Sequence, residues 1–115
     1  MNIVTLIGNL ATDVHLKQVG DDKKLASFLL AVPRTAKDTD ADFVWVSVWD
    51  RQAETCADCL AKGRRVAIDG RLKSRSWEEE GKRRHAIEVV AHRVQFLSGP
   101  ASEAEVVPFE RAAAG

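Results

Sequence analysis

Two cysteines, three histidines and a net charge of zero set the first limits on this 115-residue chain. Two cysteines are too few for a disulfide framework, and a chain of this length buries a modest core without disulfides or metal. Cys56 and Cys59 have the Cys-x-x-Cys spacing that zinc and redox sites use. No second Cys or His pair completes a zinc site, however, and no βαβ pattern of the thioredoxin type surrounds them. On a helix, positions three apart share a face, so packing as small apolar groups is the expected role, with an intersubunit disulfide as the alternative. His15, His85 and His92 are scattered, as surface or strand histidines are. There is no Ser/His/Asp arrangement, no phosphate-cradling glycine loop and no cluster of metal ligands, so neither catalysis nor a cofactor is expected. A signal peptide and a membrane-length apolar run are also lacking, which makes a cytoplasmic protein without membrane contact the expectation.

The zero net charge hides an uneven distribution. Nine of the 17 cations fall in the 23 residues from Lys62 to Arg84, against four acids, Asp69, Glu78, Glu79 and Glu80. That local excess of five is the kind of patch a polyanion favours. A second concentration is aromatic. In residues 43–49, valines stand at 44, 46 and 48, while Phe43, Trp45 and Trp49 share the opposite parity with Ser47 between them. Side chains alternate across a strand, so one face is a valine stripe for a core and the other carries three rings. Flat π-surfaces on a strand suit stacking against unpaired nucleobases. A strand buried on both faces, in a sandwich or at a subunit interface, would show the same pattern.

Short strands with one helix among them give the organisation. Residues 3–10 form a β-branched run with a bend expected at Gly8-Asn9, and residues 14–19 continue it. A turn at residues 20–22 leads to a second strand over 25–33, stopped by Pro33. The polar loop 34–42 precedes the aromatic strand. Asp50 is the expected N-cap of a helix from Arg51 to Lys62, with Gly63 as its stop. Two more strands follow, 64–77 bent at Gly70 and 84–97, joined by the turn Glu-Glu-Glu-Gly-Lys, a solvated hairpin tip. Three strands, a helix and two strands predict an all-β OB-fold, a five-stranded Greek-key barrel with the helix between strands three and four.

Several segments carry a resemblance. They are the opening residues 2–10, Asn-Ile-Val-Thr-Leu-Ile-Gly-Asn-Leu, with Asp13; the aromatic strand 43–49; and residues 60–63, Leu-Ala-Lys-Gly. With them go residues 69–77, Asp-Gly-Arg-Leu-Lys-Ser-Arg-Ser-Trp, and residues 87–90 and 94–97. Over about four fifths of its length the chain resembles the bacterial single-stranded DNA-binding proteins. The resemblance implies base stacking on Phe43, Trp49 and Trp77, and phosphate contacts from Arg71, Lys73 and Arg75. These three cations also share one strand parity, with Trp77 two residues further on. Stacking of about 1–3 kcal/mol per base is a general property of such binders, not a quantity derived from this chain. The resemblance further implies a homo-oligomer, a tetramer built from dimers that meet through their first strands, in the nucleoid.

The chain departs from the family pattern in places. Its loop 34–42 has no aromatic, so a stacking contact is missing or is replaced by Arg34. After the first strand, residues 13–15 read Asp-Val-His where many relatives carry Asp-Pro-Glu. Trp45 is an unusual aromatic at its position and is expected to add a stacking platform, with a subunit contact as the alternative. Residues 1–98 are assigned to the barrel and 99–115 to a short flexible tail. Within that tail Val106-Val-Pro-Phe109 resembles the family's acidic tip, with Glu103 and Glu105 upstream, yet six residues follow Phe109. Recruitment of other proteins through this tail is therefore not expected. The expected function is sequence-independent binding and protection of single-stranded DNA in replication, recombination and repair. A primosome-type accessory OB protein and an assembly module with its aromatic strand between subunits are the alternatives.

Overall fold

The computed structural model describes residues 1–34 and 40–97. Six strands and one helix follow one another: β1 (Val4–Leu10), β2 (His15–Val19), β3 (Lys23–Pro33), β4 (Ala41–Trp49), α1 (Asp50–Cys59), β5 (Arg65–Glu79) and β6 (Lys82–Phe96). Around the ring, β1 pairs with β5, β5 with β6, β6 with β4, β4 with β3, and β3 again with β1. Every pairing is antiparallel except that of β4 with β6, which runs parallel and closes the circle. The contact of β1 with β3 involves Asn9 and Leu10, and residues 4–8 of β1 pair with β5 alone.

The sixth strand does not alter the five-stranded plan. Leu10 pairs with Leu30 and His15 with Ser27, so four residues of the first strand, 11–14, face only residues 28 and 29. β1 and β2 are thus one strand bent by a bulge, as the sequence led us to expect for residues 14–19. Backbone groups in the bend are satisfied locally. Ala11 N donates to Leu29 O at 2.7 Å, and Leu29 N donates to the Thr12 hydroxyl at 3.1 Å.

Valine parity sets the core. Val46 and Val48 of β4 are buried with Phe28 and Leu30 of β3, Val66 and Ile68 of β5, and Val89 of β6. Ala53, Cys56 and Leu60, spaced as one helical face, join this cluster from α1 and its end. Lys24 of β3 also ion-pairs with Glu54 of the helix, and that hydrogen bond and charge hold the Glu54 carboxyl below its usual range. Cys56 is buried and Cys59 exposed, and both are free thiols. Burial, with a smaller push from Cys59, raises the Cys56 thiol to about 11.

Two glycines lie where backbones cross. A Cβ on Gly8 would stand 2.3 Å from Ala31 O, and one on Gly70 would stand 2.1 Å from Val90 O. Gly8 marks the point where β1 passes from β5 to β3. Gly70 marks a register shift against β6, where Asp69 faces Arg93 but Gly70 faces Ala91. Both bends were expected at these positions.

The helix differs from expectation at both ends. Asp50 is its first residue rather than its N-cap; Trp49 holds the cap position in extended conformation, with no side-chain cap hydrogen bond. Asp50 takes φ 61°, a left-handed value that Asp tolerates better than most residues. The helix ends at Cys59, three residues before the expected Lys62, because Leu60 turns extended and buries its side chain. Gly63, at φ 94°, serves the following turn instead of stopping the helix. Its N donates to Leu10 O at 2.9 Å, and Asn9 Nδ2 donates to its carbonyl at 3.2 Å. Lys62 N donates to Asp13 Oδ1 at 2.9 Å. The opening motif and the Leu-Ala-Lys-Gly motif therefore clamp one another.

Past Lys73 and Glu88, where β6 parts from β4, the β5–β6 hairpin leaves the barrel as a two-stranded arm. It is longer than expected: the strands run to Glu79 and from Lys82, and only Glu80 and Gly81 make the turn. Both have positive φ, 53° and 79°, as a two-residue type I′ hairpin requires. Asn2 braces the base of the arm, since Leu72 N donates to its Oδ1 at 2.8 Å and its Nδ2 donates to Leu72 O at 2.9 Å. β3 starts two residues before the expected Leu25, and β4 two before Phe43, which shortens the loop between them. The tail assigned to 99–115, with Phe109, lies outside the described residues, as do residues 35–39 of the loop.

Candidate nucleic-acid interface

Strand register brings the aromatic strand and the cationic strand onto one outer face. Trp45 pairs with Glu88 in β6, and Glu88 pairs with Lys73 in β5, so all three side chains lie in one transverse row. Arg71, Val90 and Ser47 form the adjacent row, which Ser27 and His15 extend across β3 and β2. Arg75 stands opposite Ala86, and Trp77 opposite Arg84, on the arm.

The rings on this face are open to solvent. Phe43 is 61% exposed, Trp45 53% and Trp77 39%. Trp49 is half-buried at the end of β4, opposite Leu25. Same-face residues two apart on a strand are about 7 Å apart, roughly twice the per-nucleotide rise of a stacked strand. Phe43 and Trp45 are thus spaced to hold a base between them. Ser47 has a different part. It is 5% exposed, and its hydroxyl donates to Glu88 Oε2 at 3.1 Å.

The cations are arranged beside the rings. Arg75 places its guanidinium 5.3 Å from the centroid of Trp77, within cation–π range. Its Nε also lies 3.9 Å from Glu88 Oε1. Arg71 and Lys73 have no ion-pair partner among the described residues. Arg34, at the end of β3, sits apart from this set: its Nε contacts Asp42 Oδ1 at 3.1 Å, and Nη1 lies 3.9 Å from Asp40. The two carboxylates offset its charge, which leaves it less to offer a phosphate than Arg71 or Lys73.

Between β2 and the arm the face dips into an open groove of about 320 Å³. His15 and Lys17 form one wall, Arg75, Ala86 and Ile87 the other, and Trp45, Ser47 and Glu88 lie within it. His15, Lys17 and Glu88 were not assigned to the interface from sequence. Glu88 reaches the aromatic strand through its pairing with Trp45, and His15 through Ser27, which pairs in turn with Ser47; no local pattern announces either. Among the described residues no group of His, Cys, Asp and Glu side chains could hold a metal ion, and no helix is long and apolar enough to cross a membrane.

A curved sheet with exposed rings and neighbouring cations is what stacking and phosphate contact would use. The comparisons with known proteins agree in family. The model of the single-strand binding protein family matches residues 1–97. The chain belongs to the single-strand binding protein family. Its family relatives include single-stranded DNA-binding protein 3 of Clostridium acetobutylicum, 43% identical over 102 residues, covering 84% of this chain and 71% of that protein. The single-stranded DNA-binding protein of Clostridium tetani is 45% identical over 102 residues, 84% of this chain and 70% of its own. Single-stranded DNA-binding protein 2 of Listeria innocua is 41% identical over 110 residues, 91% of this chain and 69% of its own. The family's OB-fold is the closed ring described above.

Proposed function

We propose that this protein binds single-stranded DNA with little sequence preference and protects it during replication, recombination and repair. The observation that carries this reading is the shared outer face of Phe43, Trp45, Trp49 and Trp77 with Arg71, Lys73 and Arg75. Rings stack on any base, and cations neutralise phosphates with release of counterions. Binding accounts for this surface without catalysis, and its place of work is the cytoplasmic nucleoid. Residues 1–98 act as the binding domain.

A homotetramer is part of the proposal. Among the described residues, residues 4–8 of β1 pair on one edge only, with β5, and Ile3 and Ile7 are exposed beside that free edge. A second copy adding its own β1 there supports a dimer, and two dimers on one strand would raise affinity through effective concentration.

The exposed Phe43 and Trp45 also favour a second reading, in which this face is covered by another subunit. Trp77→Ala separates the two. If the protein binds strand, affinity for oligo-dT falls about tenfold, the loss of roughly one stacking contact, and the oligomer mass in solution stays the same. An oligomer that dissociates first, with strand affinity unaltered per subunit, supports the assembly reading.

A further inference from the structure

The groove has two banks that carry cationic or titratable side chains. Arg75 stands on the side of the arm, and His15 and Lys17 face it from β2. Pairing places both β2 residues on the same outer face as the rings. His15 lies in the row of Ser27 and Ser47, and Lys17 in the row of Leu25 and Trp49. Two strand spacings, about 10 Å, separate each of them from β4. A base stacked on Trp49 therefore leaves its phosphate within reach of an extended lysine side chain on β2. Both side chains are exposed, and neither has an ion-pair partner among the described residues.

The acids around this bank are engaged elsewhere. Glu88, the only acid lining the groove, accepts the Ser47 hydroxyl at 3.1 Å and lies 3.9 Å from Arg75 Nε. Asp13, two residues before His15, accepts Lys62 N at 2.9 Å. On the helix, Glu54 pairs with Lys24, and no helix residue lines the groove. β3 and β4 add Leu25, Ser27, Trp45 and Ser47, none of them charged. Lys17 and Arg75 are thus opposed by one carboxylate, and an imidazolium at His15 raises the groove's excess from one positive charge to two. Histidine, with an ordinary pKa of about 6.5, makes that change between pH 5 and 8. A phosphate attracts the protonated ring over the neutral one, so binding takes up a proton and affinity grows toward low pH. We propose that His15 and Lys17 form a second phosphate-binding bank on β2, and that protonation of His15 makes strand affinity rise as pH falls. This rests on the single-strand reading of the same face and carries the strand's path across β3 to β2.

Titrations with oligo-dT at pH 6 and pH 8, each over a range of salt concentrations, test it with wild type, His15→Gln, His15→Lys and Lys17→Ala. Thermal unfolding of each protein is recorded at both pH values. A preference of about tenfold for the imidazolium makes wild-type binding about fivefold tighter at pH 6 than at pH 8. It also steepens the salt slope by up to about 0.7. His15→Gln should lose this rise, and His15→Lys should lose it while binding at pH 8 about as tightly as wild type does at pH 6. His85 and His92 lie outside the groove, so any response of theirs persists in His15→Gln and subtracts out. Lys17→Ala should lower the slope by about 0.7 at both pH values. An equal pH response in wild type and His15→Gln, or a wild-type slope in folded Lys17→Ala, overturns the proposal while leaving single-strand binding intact. Wild-type protein that is folded and binds oligo-dT at neither pH would instead overturn the single-strand reading itself.

Discussion

Replacing Arg71, Lys73 and Arg75 together with alanine should flatten the salt dependence of strand binding. Each phosphate neutralised on a single strand contributes about 0.7 to the slope of log affinity against log salt. Three contacts therefore account for a slope of about 2, and between 50 and 200 mM salt this is a difference of roughly 15-fold in affinity. The three shares are unequal. Arg71 and Lys73 carry no ion pair among the described residues, so each should contribute fully. Arg75 already lies over Trp77 and 3.9 Å from Glu88, so its charge is partly neutralised before any strand arrives. Its single substitution should change the slope least. All three are exposed on β5 and outside the core cluster, and their loss should leave the barrel folded. Titrations at four or five salt concentrations measure the slope, with Lys24→Ala as a control because Lys24 pairs with Glu54 on the helix. A triple variant that is folded yet keeps the wild-type slope would show that phosphates are held elsewhere, and the interface would have to be redrawn.

Gly70→Ala should destabilise strongly, since the added Cβ meets only backbone atoms, at 2.1, 2.9 and 3.0 Å. An overpacking cost of about 3 kcal/mol lowers Tm by roughly 15 °C for a domain of this size. Gly20→Ala, strained only by its φ of 69° with nothing within 4 Å, should lower it several times less, and an equal or smaller effect at Gly70 would contradict the close crossing. Under native conditions at neutral pH, iodoacetamide should label Cys59 and spare Cys56, which is buried and raised to about 11. Mass spectrometry showing two adducts on folded protein would contradict that placement.

Much of this architecture was legible in residues 1–97, because OB-barrel strands alternate cleanly. Val44, Val46 and Val48 announced the inner face of β4, and Phe43, Trp45 and Trp49 its outer face. Gly8 and Gly70 marked bends because each stands in a β-branched or charged run that otherwise reads as continuous strand. The helix ends were misplaced because Leu60 continues the apolar pattern of Ala53 and Cys56 after the backbone has already turned extended. Asp50 looked like a cap by type, yet it takes a left-handed conformation inside the first turn. The extra length of the arm was hidden by three consecutive glutamates, which read as a turn but continue β5 through Glu79. The groove could not be read at all. Its carboxylate and its serine are 41 residues apart, and the parallel β4–β6 ladder that joins them is fixed by closure of the barrel.

The most direct test of the central claim is intrinsic tryptophan fluorescence during titration with oligo-dT, beside a duplex of the same length, at low and high salt. Trp45 and Trp77 are exposed and Trp49 is half-buried, so all three can report a stacked base. Strong quenching by the single strand, weak quenching by the duplex and relief by salt are the predicted result. Flat traces with both ligands would contradict the account and leave the aromatic face to another subunit.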